Sequence, residues 1–188
     1  MALQVHEFWD HFVRPSAAGL RLRFALESDC PFVEALVIDP STVAAVSGTP
    51  EAARTALAEL WAEGLDSAEM RHLVAVSEGH GRVGYLRLLY PFLEDGCLWL
   101  SYFAIVPAWR GQGVGRRVLG LLLDQARSCP LVQRFGMHTL TTNVRAARLY
   151  AALGFECVQR EPWECADGTV QERLTLVQSV DALPPPQR

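Results

Sequence analysis

Apolar and polar positions along this chain follow two periods, and the switches between them mark out its elements. Val5, Phe8, Trp9 and Phe12 fall at i, i+3, i+4 and i+7, which predicts a short helix with one apolar stripe, ended by the breaker run at 14–19. Residues 20–28 alternate as a strand does, and 29–38 opens with Asp29 and Pro31, a capping residue and a proline suited to a first helical turn. A cleaner helix follows, with Thr49 as cap, Pro50 at its first position and Gly64 as its stop. From Arg71 the period becomes two: the runs 71–77, 82–90 and 97–106, separated by glycine turns, predict an antiparallel meander in which Asp95-Gly96 is a hairpin signal. The helical period returns at 115–128. There Val114, Val118, Leu121, Leu122 and Gln125 share a face, while Arg116, Arg117, Asp124 and Arg127 occupy the rest. Gly120 inside it costs about 1 kcal/mol against alanine, which a close approach of helix to sheet would justify. A strand at 135–142, a helix capped by Asn143 and stopped by Gly154, and two strands around the turn Asp167-Gly168 complete the pattern.

The order is strand, two helices, three strands, helix, strand, helix and two strands, which builds a mixed α/β sheet flanked by helices. A chain of 188 residues suits one such domain with a full core. The expected division is a helical extension at 1–19, the domain at 20–178 and a loose tail at 179–188. Three uses are open to the extension's apolar stripe: packing on its own domain, covering an acceptor cleft, or a homodimer contact.

Composition then removes function classes. A formal net charge of -4 supplies no positive field to hold nucleic acid or anionic lipid. No run reaches the roughly 20 apolar residues of a membrane span, and the N-terminus lacks the basic region of an export signal, so a cytoplasmic protein is expected. The cysteines, Cys30, Cys97, Cys129, Cys157 and Cys165, are odd in number and widely spaced, which argues against a disulfide framework and against a metal site. Every Lys or Arg position is arginine, so Schiff-base catalysis, pyridoxal phosphate attachment and the P-loop lysine are unavailable. The same bias suits a GC-rich bacterial genome.

The segment Arg110-Gly111-Gln112-Gly113-Val114-Gly115 lies between a predicted strand, closed by Pro107, and a helix start. A dinucleotide fingerprint begun at Gly111 and Gly113 would need glycine where Arg116 stands. What remains is a turn whose glycines let backbone N–H groups converge on an anion at the positive end of a helix, a geometry that fits a pyrophosphate. Downstream, Asn143, Ala146, Leu149, Tyr150, Gly154 and Phe155 fall at the spacing N-x-x-A-x-x-L-Y-x-x-x-G-F. Together the two patterns resemble the motifs of the GNAT superfamily of acyl-CoA N-acyltransferases, over roughly residues 20–178.

The resemblance implies a mostly antiparallel sheet of about seven strands flanked by helices, acetyl-CoA as co-substrate, and direct transfer of an acetyl group to a primary amine of a small molecule or peptide. It implies cofactor contacts at Phe103, Ile105, Val106, Arg110, Gly111, Gln112, Gly113, Val114, Gly115, Arg116 and Asn143, with the loop on the pyrophosphate, Asn143 on the pantetheine arm and a strand N–H on the oxyanion. Tyr150 would serve the departing thiolate. A phenol near pKa 10 giving its proton to a thiolate near 8.5 runs uphill by about 2 kcal/mol, so donation of a hydrogen bond is the expected role.

Some family members place a glutamate base on the strand, but here Trp99 stands in that place, with Ser101 two residues on. Candidate bases are therefore Glu94, Asp95 and His138, or a water chain. Trp99, Tyr102 and Trp109 are either walls of an acceptor pocket or ordinary packing aromatics. The acidic balance, with Glu94-Asp95 at a turn, hints at a cationic acceptor such as a polyamine or aminoglycoside. The missing glutamate also leaves open a non-catalytic acyl-CoA-binding module, or a different acyl chain or acceptor.

Overall fold

The computed structural model describes residues 7–13, 19–46, 48–62, 65, 67–90 and 96–180. Val5, Gly64, Glu94, Asp95 and the residues after Val180 lie outside that set. The strands are β1 (Leu20–Phe24), β2 (Met70–Ser77), β3 (Gly81–Leu89), β4 (Cys97–Ile105), β5 (Arg134–Leu140), β6 (Glu156–Glu164) and β7 (Val170–Ser179). The helices are α1 (Cys30–Val37), α2 (Pro40–Ala45), α3 (Pro50–Ala62), α4 (Val114–Ser128) and α5 (Val144–Ala152). One seven-stranded sheet runs β1-β2-β3-β4-β5-β7-β6. Its neighbours are antiparallel except β4 with β5, which are parallel.

The helix α2 departs from the sequence reading, which placed only two helices between the first strand and the meander. Its signals were present: Asp39 accepts hydrogen bonds from the Ser41 and Thr42 N–H groups, and Pro40 takes the first helical position. Six residues are fewer than two turns, too short to show a 3.6 period.

Alternation along the strands divides the core between the two faces of the sheet. Leu73 and Ala75 of β2, Leu86 and Leu88 of β3, and Leu98 and Leu100 of β4 join the larger cluster with Val118, Leu119, Leu122 and Leu123 of α4. On the other face Tyr85 and Ala104 pack with Val33, Leu36 and Val37 of α1 and Leu57 of α3. Phe8, Trp9 and Phe12 are almost fully buried in the larger cluster; Phe8 stacks on Tyr90 at 4.3 Å between centroids, and Trp9 Nε1 donates to the Ala68 carbonyl at 2.9 Å. These aromatics of the N-terminal stripe pack into the chain's own core. At the other end β7 continues through Ser179, and Val180 is buried, beyond the expected boundary at 178.

Three local expectations are not met. The buried face of α4 is carried by Leu119, Leu123 and Ala126 as well as the expected residues, while Leu121 is only partly covered. Gly120 makes no close approach, since a Cβ there would meet nothing within 4 Å. Asp29 does not cap α1 with its side chain. Instead its buried carboxylate accepts from both Arg23 Nη atoms at 2.6 and 2.8 Å, from the Leu26 N–H at 2.9 Å and from Arg82 Nη1 at 3.1 Å, tying β1, the turn into α1 and β3 together. The Arg23 hydrogen bond, foremost, holds this carboxyl well below the usual carboxylate range.

Gly120→Ala is therefore expected to stabilise the fold by up to about 1 kcal/mol in urea unfolding, with an unchanged m-value. Asp29→Asn removes the charge that balances the two arginines and should cost about 1–3 kcal/mol at pH 7. Folding depresses this pKa, so the contribution is present above the unfolded carboxyl's value near 3.9 and is lost as pH falls below it. The gap between wild type and Asp29→Asn should accordingly narrow below about pH 4 in thermal unfolding.

Candidate functional site

β4 and β5 pair only from Cys97–Leu100 against Arg134–Met137, after which β4 continues to Ile105 and β5 to Leu140 without further pairing between them. The separation begins at a β-bulge: Arg87 of β3 faces Tyr102 and Leu88 faces Leu100, so Ser101 is the extra residue. Where pairing ends, the Trp99 ring lies across Gly136, where a Cβ would stand 2.7 Å from the ring, and stacks on His138 at 5.1 Å. The opened wedge is a cleft of about 790 Å³. Its β4 wall is an unpaired strand edge. Val106 N–H donates back to the Val83 carbonyl, so by alternation the N–H groups of Phe103 and Ile105 face the cleft.

The glycine loop closes one end. Gly113 is the N-cap of α4 with φ +75°, a left-handed conformation that costs a side chain roughly 1–2 kcal/mol. Gly115, in the first turn, lies over Ile105, Phe103 and Leu149, which a Cβ would meet at 3.6–3.7 Å. The first-turn N–H groups of any α-helix lack intrahelical acceptors, and here they sit at the cleft. Arg116 and Arg145 line the same end, neither with an ion-pair partner among the described residues. An anion-sized cradle with two free guanidiniums suits a polyphosphate.

Arg110 is differently disposed. Its Nε donates to the Ile105 carbonyl at 2.7 Å, Nη2 donates to Thr42 Oγ1 at 2.6 Å, and Nη1 meets Ser41 Oγ and Asp39 Oδ1. It brackets the end of β4 to α2. Hydrogen bonds from Ser41, chiefly, hold the Asp39 carboxyl below its ordinary value.

Of the candidates named from sequence, Phe103, Ile105, Arg110, Gly111, Gly113, Gly115, Arg116, Asn143, Tyr150 and His138 line one cleft. Three do not. Val106 is spent on β3, the Gln112 amide donates to the Ala108 carbonyl at 2.7 Å, and the Val114 side chain is buried in the core. Asn143 Oδ1 accepts from the Ala146 N–H at 3.2 Å and so caps α5. Tyr150 is almost fully buried, with no hydrogen-bond partner for its hydroxyl among the described residues, and burial pushes its pKa up to about 12. His138 Nδ1 lies 3.2 Å from Thr175 Oγ1, and burial, first, lowers its pKa, so it is neutral at pH 7.

Trp109 packs edge-on against His80 at 4.5 Å, on a separate shallow depression. Tyr102 both lines the cleft and leans on Tyr85. The sequence reading missed Ser41, Thr42, Arg87, Arg145, Trp163 and Arg173, which tertiary folding brings to the cleft from five elements, α2, β3, α5, β6 and β7. Only the Asp39-Pro40 cap signal beside Ser41 was legible beforehand.

The model of the acetyltransferase (GNAT) family matches residues 33–155, and the chain belongs to that family. Among solved structures, the spermidine N-acetyltransferase of Vibrio cholerae in complex with CoA and spermine superposes with a TM-score of 0.75 at 19% identity, over 86% of this chain and 95% of that one. YncA of Salmonella typhimurium, described as a putative acetyltransferase with its cofactor acetyl-CoA, gives 0.63 at 21% identity, over 90% and 98%. The ribosomal-protein-S18-alanine N-acetyltransferase of Escherichia coli gives 0.64 at 16%, over 90% and 99%. At these identities the likeness establishes the fold. An uncharacterized Mycobacterium leprae protein, ML0378, is 44% identical over 59 residues, which are 31% of this chain and 15% of that longer protein.

Proposed function

We propose that the protein is an acetyl-CoA-dependent N-acetyltransferase that acts by direct transfer to a primary amine of a small molecule or peptide. The observation that carries this reading is the wedge between β4 and β5, with an unpaired strand edge along one side and a helix N-terminus bearing Arg116 and Arg145 at its end. The pantetheine arm carries amide donors and acceptors, which a strand edge matches, and the pyrophosphate matches the loop N–H groups. Acetyl-CoA, when bound, supplies a thioester whose carbonyl carbon passes to the amine, the C–N bond forming as the C–S bond breaks.

The chain's residues divide the remaining tasks. Phe103 and Ile105 N–H groups face the cleft and stabilise charge on the carbonyl oxygen. Tyr150 donates a hydrogen bond to the sulfur. With its pKa near 12, full proton transfer to a thiolate near 8.5 would run uphill by roughly 5 kcal/mol. Neutral His138, or water beside it, accepts the amine proton. Arg110 holds the β4 end and α2 in register instead of serving as a free phosphate ligand. A non-catalytic acyl-CoA-binding module is the second reading, favoured by the lack of any Asp or Glu among the described residues lining the cleft.

Acetyl-CoA consumption, followed by chromatography over a panel of amino acids, peptides, polyamines and aminoglycosides, tests the proposal. Turnover of one class is expected, and acetyl-CoA binding without turnover of any would favour the binding module. Tyr150→Phe should lower kcat by about tenfold or more and leave acetyl-CoA affinity within about twofold. Calorimetry should show acetyl-CoA affinity falling about tenfold in Arg110→Ala and a few-fold in Thr42→Val. Wild-type affinity in Thr42→Val would refute the bracket.

A further inference from the structure

Five arginines and a histidine line the cleft, Arg87, Arg110, Arg116, Arg145, Arg173 and His138, and no carboxylate joins them among the described residues. Four of the arginines have an evident balance or address. Arg116 and Arg145 stand at the glycine loop, and Arg110 is satisfied by the Ile105 carbonyl and the α2 hydroxyls beside Asp39. Arg173 pairs with Glu161, its Nε 3.0 Å from the carboxylate, and lies over the Trp163 ring at 3.5 Å.

Arg87 is left over. It projects from β3 beside the Ser101 bulge, far along the strand from the glycine loop. Its Nε donates to Ser101 Oγ at 2.8 Å, and that hydroxyl donates to the Arg87 carbonyl at 3.1 Å. This closed pair of hydrogen bonds fixes the side chain and leaves both Nη atoms without a partner among the described residues. The charge is felt by its neighbours: after burial, Arg87 is the next cause acting on His72, Tyr85 and Tyr102. Tyr102 and Ser101 line the cleft at the same level. A fixed, half-buried guanidinium with two open donors matches a carboxylate. It repels an ammonium, so a polycation would meet a like charge and, among the described residues lining the cleft, no carboxylate.

Resting on the acetyltransferase reading, we infer that the acceptor amine belongs to a molecule that also carries a carboxylate, which Arg87 binds beside the Ser101 bulge. A free amino acid or a peptide with an acidic residue near its N-terminus supplies that chemistry. The inference departs from the hint of a cationic acceptor drawn from the acidic balance and Glu94-Asp95, which lie outside the described residues: the net -4 belongs to the whole chain, whereas the described residues lining the cleft include five arginines and no carboxylate. Arg87 also disfavours the ammonium form of a neighbouring amine, and the neutral form is the one that attacks.

The test uses the full chain saturated with CoA. Calorimetry compares N-acetylglycine and N-acetylaspartate with N-acetylglycinamide and N1-acetylspermidine, and the amines themselves are run with acetyl-CoA for turnover. The acids are expected to bind about tenfold or more tighter than the amide, with the acid-to-amide ratio collapsing in Arg87→Gln and partly kept in Arg87→Lys. The same ratio is expected in kcat/KM, carried by KM. CoA affinity within about twofold of wild type in both variants reports an intact fold. Peptides with amidated C-termini and Asp or Glu at the first two positions, set against free amino acids, distinguish the two sources of the carboxylate. Tighter binding or faster turnover of the polyamine, or an acid-to-amide ratio untouched by Arg87→Gln, overturns the inference while leaving acetyl transfer standing. Failure of CoA to bind at all removes the acetyltransferase reading, and this inference with it.

Discussion

β4 and β5 run side by side for four residues and then part, and the rest of the site follows from that parting. A parallel pair that stayed closed would have spent the Phe103 and Ile105 N–H groups on its own ladder, and the glycine loop would open onto a finished sheet. The bulge at Ser101 adds local twist at the point of separation. Trp99 settles on Gly136 and His138 there and fills the floor of the wedge with a rigid aromatic stack. Trp99 thus serves packing in this chain.

An open wedge in a sheet needs support from both sides. On one side the larger core, including the N-terminal aromatics, presses α4 against β4, so the N-terminus of α4 is held at the mouth. On the other, Arg110 links the Ile105 carbonyl at the end of β4 to the hydroxyls of α2. A side chain expected to meet phosphate directly is engaged within the protein, and the open guanidiniums at that end are Arg116 and Arg145. Away from the cleft, the Asp29 cluster with Arg23 and Arg82 ties β1 to β3.

Electrostatics of the whole chain and of the cleft have opposite signs. The surface carries a net negative charge, and the cleft is lined by arginines whose carboxylate partners, where they have them, lie on the protein side. Two of these guanidiniums stand where a polyphosphate would lie, and one stands beside the bulge with its stem fixed and its donors free. Charge placed this way sorts ligands by sign at each end of one groove, which bulk composition does not reveal.

Many of the elements were legible in the sequence because burial of one face imposes a period of 2 or 3.6 on the residues that form it, while the largely exposed β6 was marked by its pairing with β7 across the Asp167-Gly168 turn. The R-x-x-G-x-G and N-x-x-A-x-x-L-Y patterns were legible because a helix N-terminus and its approach to a ligand constrain consecutive residues. The short helix α2 was not, since six residues show no period, and Gly120 was misread because a glycine's reason lies in its neighbours. The sequence by itself determined the order of elements, the family's two motifs and the position of the glycine loop at a helix N-terminus, all set by local backbone chemistry. Tertiary structure alone decided that Arg87, Ser41, Thr42, Trp163 and Arg173 share a cleft with that loop, and that Arg110 turns inward. Those facts depend on contacts between residues tens of positions apart, formed only when the sheet closes and β4 parts from β5.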